Sequence, residues 1–124
     1  MSGIADRSAT EPTLEPALTA FAEQLREQIR AQRVLLFGSH ARGQTARDSG
    51  YDLIVVSPRF AAVEPLRRAI GLRQLWYDMG GEGPMDLICL PPEEFADAQR
   101  HITLVAAVLP EAIELLPHMA ERPR

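Results

Sequence analysis

Two aspartates lie inside short apolar runs of this chain. Asp52 is second in Tyr51-Asp52-Leu53-Ile54-Val55-Val56, and Asp86 is second in Met85-Asp86-Leu87-Ile88-Cys89-Leu90. A carboxylate carried into such a run loses hydration worth several kcal/mol unless it finds partners. Two of them at the starts of neighbouring strands could share one divalent cation, because magnesium takes a few carboxylates and completes its shell with phosphates and water. Two independent strand-end aspartates, each bonded to loop N–H groups, also fit these residues and, on the residues alone, are the reading to prefer. A second feature is Gly38-Ser39, directly after the apolar run Val34-Leu35-Leu36-Phe37. Glycine at a strand exit lets another molecule approach the backbone. If Ser39 opens a short helix, its free N–H groups and hydroxyl make a small cradle for a phosphate. Arg42 and Arg47 are placed to reach such a phosphate, or to be plain solvated arginines.

These residues need elements to hold them. Leu14, Leu18, Phe21, Leu25 and Ile29 recur at spacings of four and three, which predicts an amphipathic helix with Thr13 as its cap. Residues 34–37, 51–56 and 85–90 are short, apolar and stopped by glycine or proline, so they read as buried strands. A long helix is expected from Ala61 to Met79, with Val63, Leu66, Ile70, Leu75, Trp76 and Met79 on its core side. Another is expected through Phe95, Ala98, Ile102, Val105 and Leu109, stopped by Pro110, and then a short edge strand over 112–116. Trp76-Tyr77 reads as core packing before it reads as a platform for a base. Residues 1–12 lack periodicity and read as a mobile tail, leaving 13–124 as one domain.

Bulk properties bound the function. The chain has 124 residues, 46% hydrophobic and 24% charged, enough for one domain with its own core. A net charge of −4 argues against general nucleic-acid binding but leaves room for a nucleotide, which needs only a local cradle. Cys89 is the single cysteine, so no internal disulfide is possible; it reads as a small buried hydrophobe. No run approaches the ~18 apolar residues of a membrane span, and the first residues lack a signal pattern. A cytoplasmic protein is the expectation.

The run Leu36-Phe37-Gly38-Ser39-His40-Ala41-Arg42-Gly43, followed by Ser49-Gly50-Tyr51-Asp52-Leu53, resembles the signature of the DNA polymerase β-type nucleotidyltransferase superfamily, in particular its minimal stand-alone members. Their pattern is Gly-Ser, ten residues, Asp-x-Asp and a third aspartate on a later strand. Gly38-Ser39 matches, ten residues (His40 to Ser49) follow, Asp52 stands at the second aspartate of the pair and Asp86 at the later one. The resemblance spans roughly residues 15 to 117. One position departs from it: Gly50 stands where the first aspartate belongs. Asp48 is two residues upstream, but on an extended strand it would lie ~13 Å from Asp52, far beyond the ~2.0–2.1 Å reach of a magnesium–oxygen bond unless the chain bends at Gly50.

The resemblance implies an α/β fold, α+β by strict naming: a small mixed sheet with helices mainly on one face. It implies metal binding by Asp52 and Asp86, which would be the catalytic carboxylates, and nucleoside-triphosphate binding by Gly38 and Ser39, with Arg42 beside them. It also implies ATP, magnesium and, in some members, a small helical partner of the HEPN type that the domain restrains as an antitoxin. With Gly50 in place, weak magnesium binding is expected. The reading that follows is a catalytically impaired relative, a pseudoenzyme that works by binding a partner protein. The alternative is an active enzyme that moves a nucleoside monophosphate from ATP to a hydroxyl acceptor.

Overall fold

The computed structural model describes residues 16–38, 41, 50–101 and 103–116. The expected tail at 1–12 lies outside them, as do Thr13, Ser39, Arg42, Arg47 and Asp48. Helix α1 is Pro16–Ile29 and buries Leu18, Phe21, Ala22 and Leu25, the stripe seen in the sequence. Arg30 ends it in the left-handed region at φ 57°, and the Ala31 N–H closes back on the Leu25 carbonyl. That is a helix stop usually given to glycine. Strands β1 (Arg33–Phe37), β2 (Tyr51–Val56) and β3 (Met85–Leu90) fall where the apolar runs place them. A two-residue strand, β4 (Ile113–Glu114), completes a sheet of order β3-β2-β1-β4. β1 is antiparallel to β2 and β4, and β2 is parallel to β3, so the sheet is mixed.

Strand alternation divides the side chains between two cores. One face carries Val34, Leu36, Leu53, Val55, Met85 and Cys89, packed against α1 and α2 (Ile70–Asp78). Trp76 lies at its centre, fully buried, with the rings of Phe21 and Tyr51 edge-on at 5.5 and 5.7 Å. A Cβ at Gly81 would overlap the indole, so glycine lets the chain turn tightly past it. The other face carries Leu35, Phe37, Ile54 and Val56, with Phe95 of α3 (Pro92–Gln99) and Val105 of α4 (Leu104–Val108). The longer helices thus share one face, and two short ones cover part of the other.

Two expected helices are broken. Ala61 to Met79 is a 3-10 turn at Pro58–Ala62, a second at Pro65–Arg67, and then α2. Ser57 starts the first turn by accepting from the Arg59 N–H, and each proline sits near the start of its turn, where a missing N–H costs nothing. Val63, Leu66 and Ile70, expected in the core, are exposed. The inward position of that segment belongs to Arg68. Its guanidinium donates to the Val63 and Cys89 carbonyls and to Glu94, which satisfies a charge that burial would otherwise penalise. The second expected helix stops at Gln99 and restarts at Leu104. Thr103 makes the break: its hydroxyl donates to the Ala98 carbonyl and accepts from the Ala106 N–H, capping α4.

Candidate functional site

The parallel pairing of β2 with β3 decides where the two aspartates go. Tyr51 is opposite Met85, Asp52 opposite Asp86, and Leu53 opposite Leu87. Register partners on parallel strands point to the same face, and neighbouring strands lie about 4.8 Å apart. Tyr51, Leu53 and Met85 turn into the main core, so Asp52 and Asp86 share the opposite face. They sit side by side where both strands begin. Asp52 is half-buried and Asp86 exposed. The smaller core covers this face further along, at Ile54, Val56, Ile88 and Leu90.

β1 brings the glycine. It runs antiparallel to β2 with Phe37 opposite Asp52, so Gly38 leaves the sheet beside that carboxylate. Gly38 has φ +81°, a conformation that glycine adopts without strain. A Cβ there would overlap Asp52 Oδ2 and lie 3.2 Å from Asp52 Cγ. Glycine suits residue 38 for two separate reasons: it adopts this backbone conformation without strain, and any side chain there would make the Asp52 carboxylate turn aside. Gly38, Asp52 and Asp86 come together; Ser39 and Arg42 lie outside the described residues. Trp76 is core, as expected, and Tyr77 is on the surface.

Gly50 is crowded by the residue that precedes β3. Continuing the register one step back sets it opposite Pro84, and the Tyr51 N–H donates to the Pro84 carbonyl at 3.0 Å. A Cβ on Gly50 would stand 2.7 Å from the Pro84 carbonyl oxygen, 2.9 Å from Pro84 Cβ and 3.1 Å from its carbonyl carbon. Two of those three atoms are backbone and cannot swing away. Gly50 itself does not adopt a positive φ. The space a side chain would need is filled by the start of β3. Pro84 was legible in principle: with both aspartates second in their runs, pairing them sets 50 against 84.

The arrangement offers two adjacent carboxylates with a glycine turn against one of them. That fits one divalent ion sharing its shell with phosphates and water. It does not make a three-carboxylate centre: among the described residues, no group of three His, Cys, Asp or Glu side chains could hold a metal. Cys89, facing the main core, has its thiol pushed up to about 12 by burial, against the opposing pull of Arg68 and Arg73, and is chemically quiet.

Comparison with known proteins agrees with this geometry. The family model for the nucleotidyltransferase domain matches residues 18–117. Among solved structures, a candidate nucleotidyltransferase from Sulfolobus solfataricus is 17% identical and superposes with a TM-score of 0.53, covering 79% of this chain and 75% of that one. At that identity the likeness speaks for the fold alone. No curated protein gives a significant match. No helix among the described residues is long and apolar enough to cross a membrane.

Proposed function

Because the chain belongs to the nucleotidyltransferase domain family, we propose that it is a member with a degenerate metal site that acts by binding a partner protein. The observation that carries this reading is the packing of Gly50 against Pro84. A site that had merely lost an aspartate would leave room where the side chain had been. Here the neighbouring strand occupies the room, which is how a site looks when no function holds it open. Asp52 and Asp86 would hold a single magnesium ion, loosely, because magnesium gives up water reluctantly. Such an ion would neutralise part of a triphosphate. Gly38 would leave the backbone open beside Asp52, and Ser39 and Arg42 would face the phosphates.

A second reading is favoured by one observation, the retained pairing of Asp52 with Asp86 beside a glycine turn. In it the protein still transfers a nucleoside monophosphate from ATP to a hydroxyl of a protein or other acceptor, releasing pyrophosphate. Isothermal titration of magnesium-ATP, with radiolabelled transfer assayed alongside, separates the two. Weak binding and no transfer fit the first. Tight binding with transfer at ordinary enzyme rates refutes it and establishes the second.

A further inference from the structure

Residues 80–84, between α2 and β3, are fixed at both ends and lightly held between. Gly80, at φ +92°, ends α2: its N–H returns to the Tyr77 carbonyl, and the Gly81 N–H returns to the Trp76 carbonyl. That double return sets the direction in which a chain leaves its helix. Gly81 then lies against the buried indole, where a Cβ would have no room. At the far end Pro84 meets β2. Proline has no N–H, so its backbone can be tied to β2 only through its carbonyl, which accepts from the Tyr51 N–H. Glu82 and Gly83, between these two ends, are exposed. Gly83 has φ +86°, and a Cβ there would meet nothing within 4 Å. The side chain that reaches this middle is Tyr77, whose hydroxyl donates to the Gly83 carbonyl at 3.1 Å.

Pro84 is where this segment meets the candidate site. Residues 50 and 84 precede Asp52 and Asp86 by two, so they share that face, one pleat repeat from the carboxylates. Pro84 is therefore a wall of the site, and it stands in the room that a side chain at residue 50 would need. We propose that residues 82–84 form a strap that opens and closes this room, and that Tyr77 is its latch, a positioning residue at the end of α2. Gly50 is what lets the strap shut, since any side chain there would hold it ajar. When the strap withdraws, the bare backbone of Gly50 lies open beside the two carboxylates and admits close approach by a ligand. A single exposed hydrogen bond is a light fastening, so the strap opens locally and the sheet stays folded. Because Pro84 walls the same two carboxylates in a degenerate or an active protein, the strap does not depend on which of the two functions holds.

Hydrogen exchange of the full isotope-labelled chain follows the strap through the Tyr51 amide, which the Pro84 carbonyl protects. Tyr77→Phe removes the latch and keeps the ring, at an exposed position. The Tyr51 amide should then exchange about two- to tenfold faster, the change that one ordinary hydrogen bond makes in a local equilibrium. The Val55 amide, further along β2, should keep its rate. Gly83→Ala disfavours the closed backbone at positive φ and should quicken the Tyr51 amide in the same way. Urea unfolding of Tyr77→Phe, Gly50→Ala and the double variant then tests the link to residue 50. With the strap already held ajar by Gly50→Ala, the stability lost with the Tyr77 hydroxyl should largely vanish. A hydrogen bond that merely stabilises the surface would leave the two losses additive, as distant and independent sites do. Additive losses overturn the proposal. So does a Tyr51 amide that, in either Tyr77→Phe or Gly83→Ala, keeps its wild-type rate or quickens only in step with Val55.

Discussion

Placing an aspartate at residue 50 should injure this protein before it helps it. Gly50→Asp puts a Cβ 2.7 Å from the Pro84 carbonyl oxygen and 3.1 Å from its carbonyl carbon, so β3 must move at its first residues. Overpacking of this kind costs about 1–3 kcal/mol. The same movement strains the Tyr51 N–H to Pro84 bond, worth about 1 kcal/mol net and more if either group is left unpaired. Against this, replacing a glycine whose φ is not positive restricts the unfolded chain and returns about 0.4–1 kcal/mol. The balance is a loss of roughly 1–3 kcal/mol, a sizeable share of the ~5–15 kcal/mol that keeps a domain folded. Gly50→Ala carries the same Cβ without charge, so it should show that loss alone. Gly50→Asp should lose more without metal, since a third carboxylate joins Asp52 and Asp86, and magnesium should return only that extra part. Urea unfolding of the three proteins, with and without magnesium, reads each quantity. A Gly50→Ala variant as stable as the wild type would refute the packing argument. A Gly50→Asp variant that binds magnesium-ATP tightly and begins transfer with no compensating change at Pro84 would refute the conclusion drawn from it.

Other outcomes follow from the same geometry. Gly38→Ala should cost about 1–3 kcal/mol for a side chain at positive φ and should weaken whatever magnesium binding the wild type has, because Asp52 must turn aside; calorimetry with magnesium alone measures the second effect. Arg68→Ala should destabilise by about 2–4 kcal/mol, since it removes donors to the Val63 and Cys89 carbonyls and leaves a void, and chemical denaturation will show it. Cys89 adds a pH signature. Its thiol is raised from 9.0 to about 12 in the fold, chiefly by burial, so its stabilising share is whole below about pH 9 and is lost as pH rises from there toward 12. Wild type should therefore lose more stability than Cys89→Ala between about pH 8 and pH 11, and equal losses would contradict a buried neutral thiol.

Much of the site was legible because strands and registers leave direct traces. Residues 51–56 and 85–90 were bounded by proline and came out as β2 and β3, residue for residue. Two aspartates at matching places in those runs became register partners. The helices were harder for a physical reason. Val63, Leu66 and Ile70 repeat at helical spacing, as do Leu72 and Trp76, but the two sets lie on different sides of the segment. Periodicity cannot say which set turns inward when an arginine with enough carbonyl partners can take an inner position. Nor could it find the break at Thr103, where a hydroxyl competes with the helix for backbone partners. The crowding of Gly50 by Pro84 needed the pairing of two distant strands, and local spacing carries none of that.

The arginines behind β3 have one more consequence. β3 is the last strand on its side of the sheet, and its outward carbonyls at Met85 and Cys89 accept from Arg73 and Arg68. A bare outer strand is a template on which a strand from another molecule can grow, and growth of that kind leads to aggregates. Here an incoming strand would have to displace two guanidinium groups, one of them buried, and would meet positive charge in doing so. At the opposite border β4 is only two residues long, too short to seed an addition. Among the described residues, extension of this small sheet is hindered at both ends, on one by cations and on the other by brevity, so its two borders resist strand addition by different physical means.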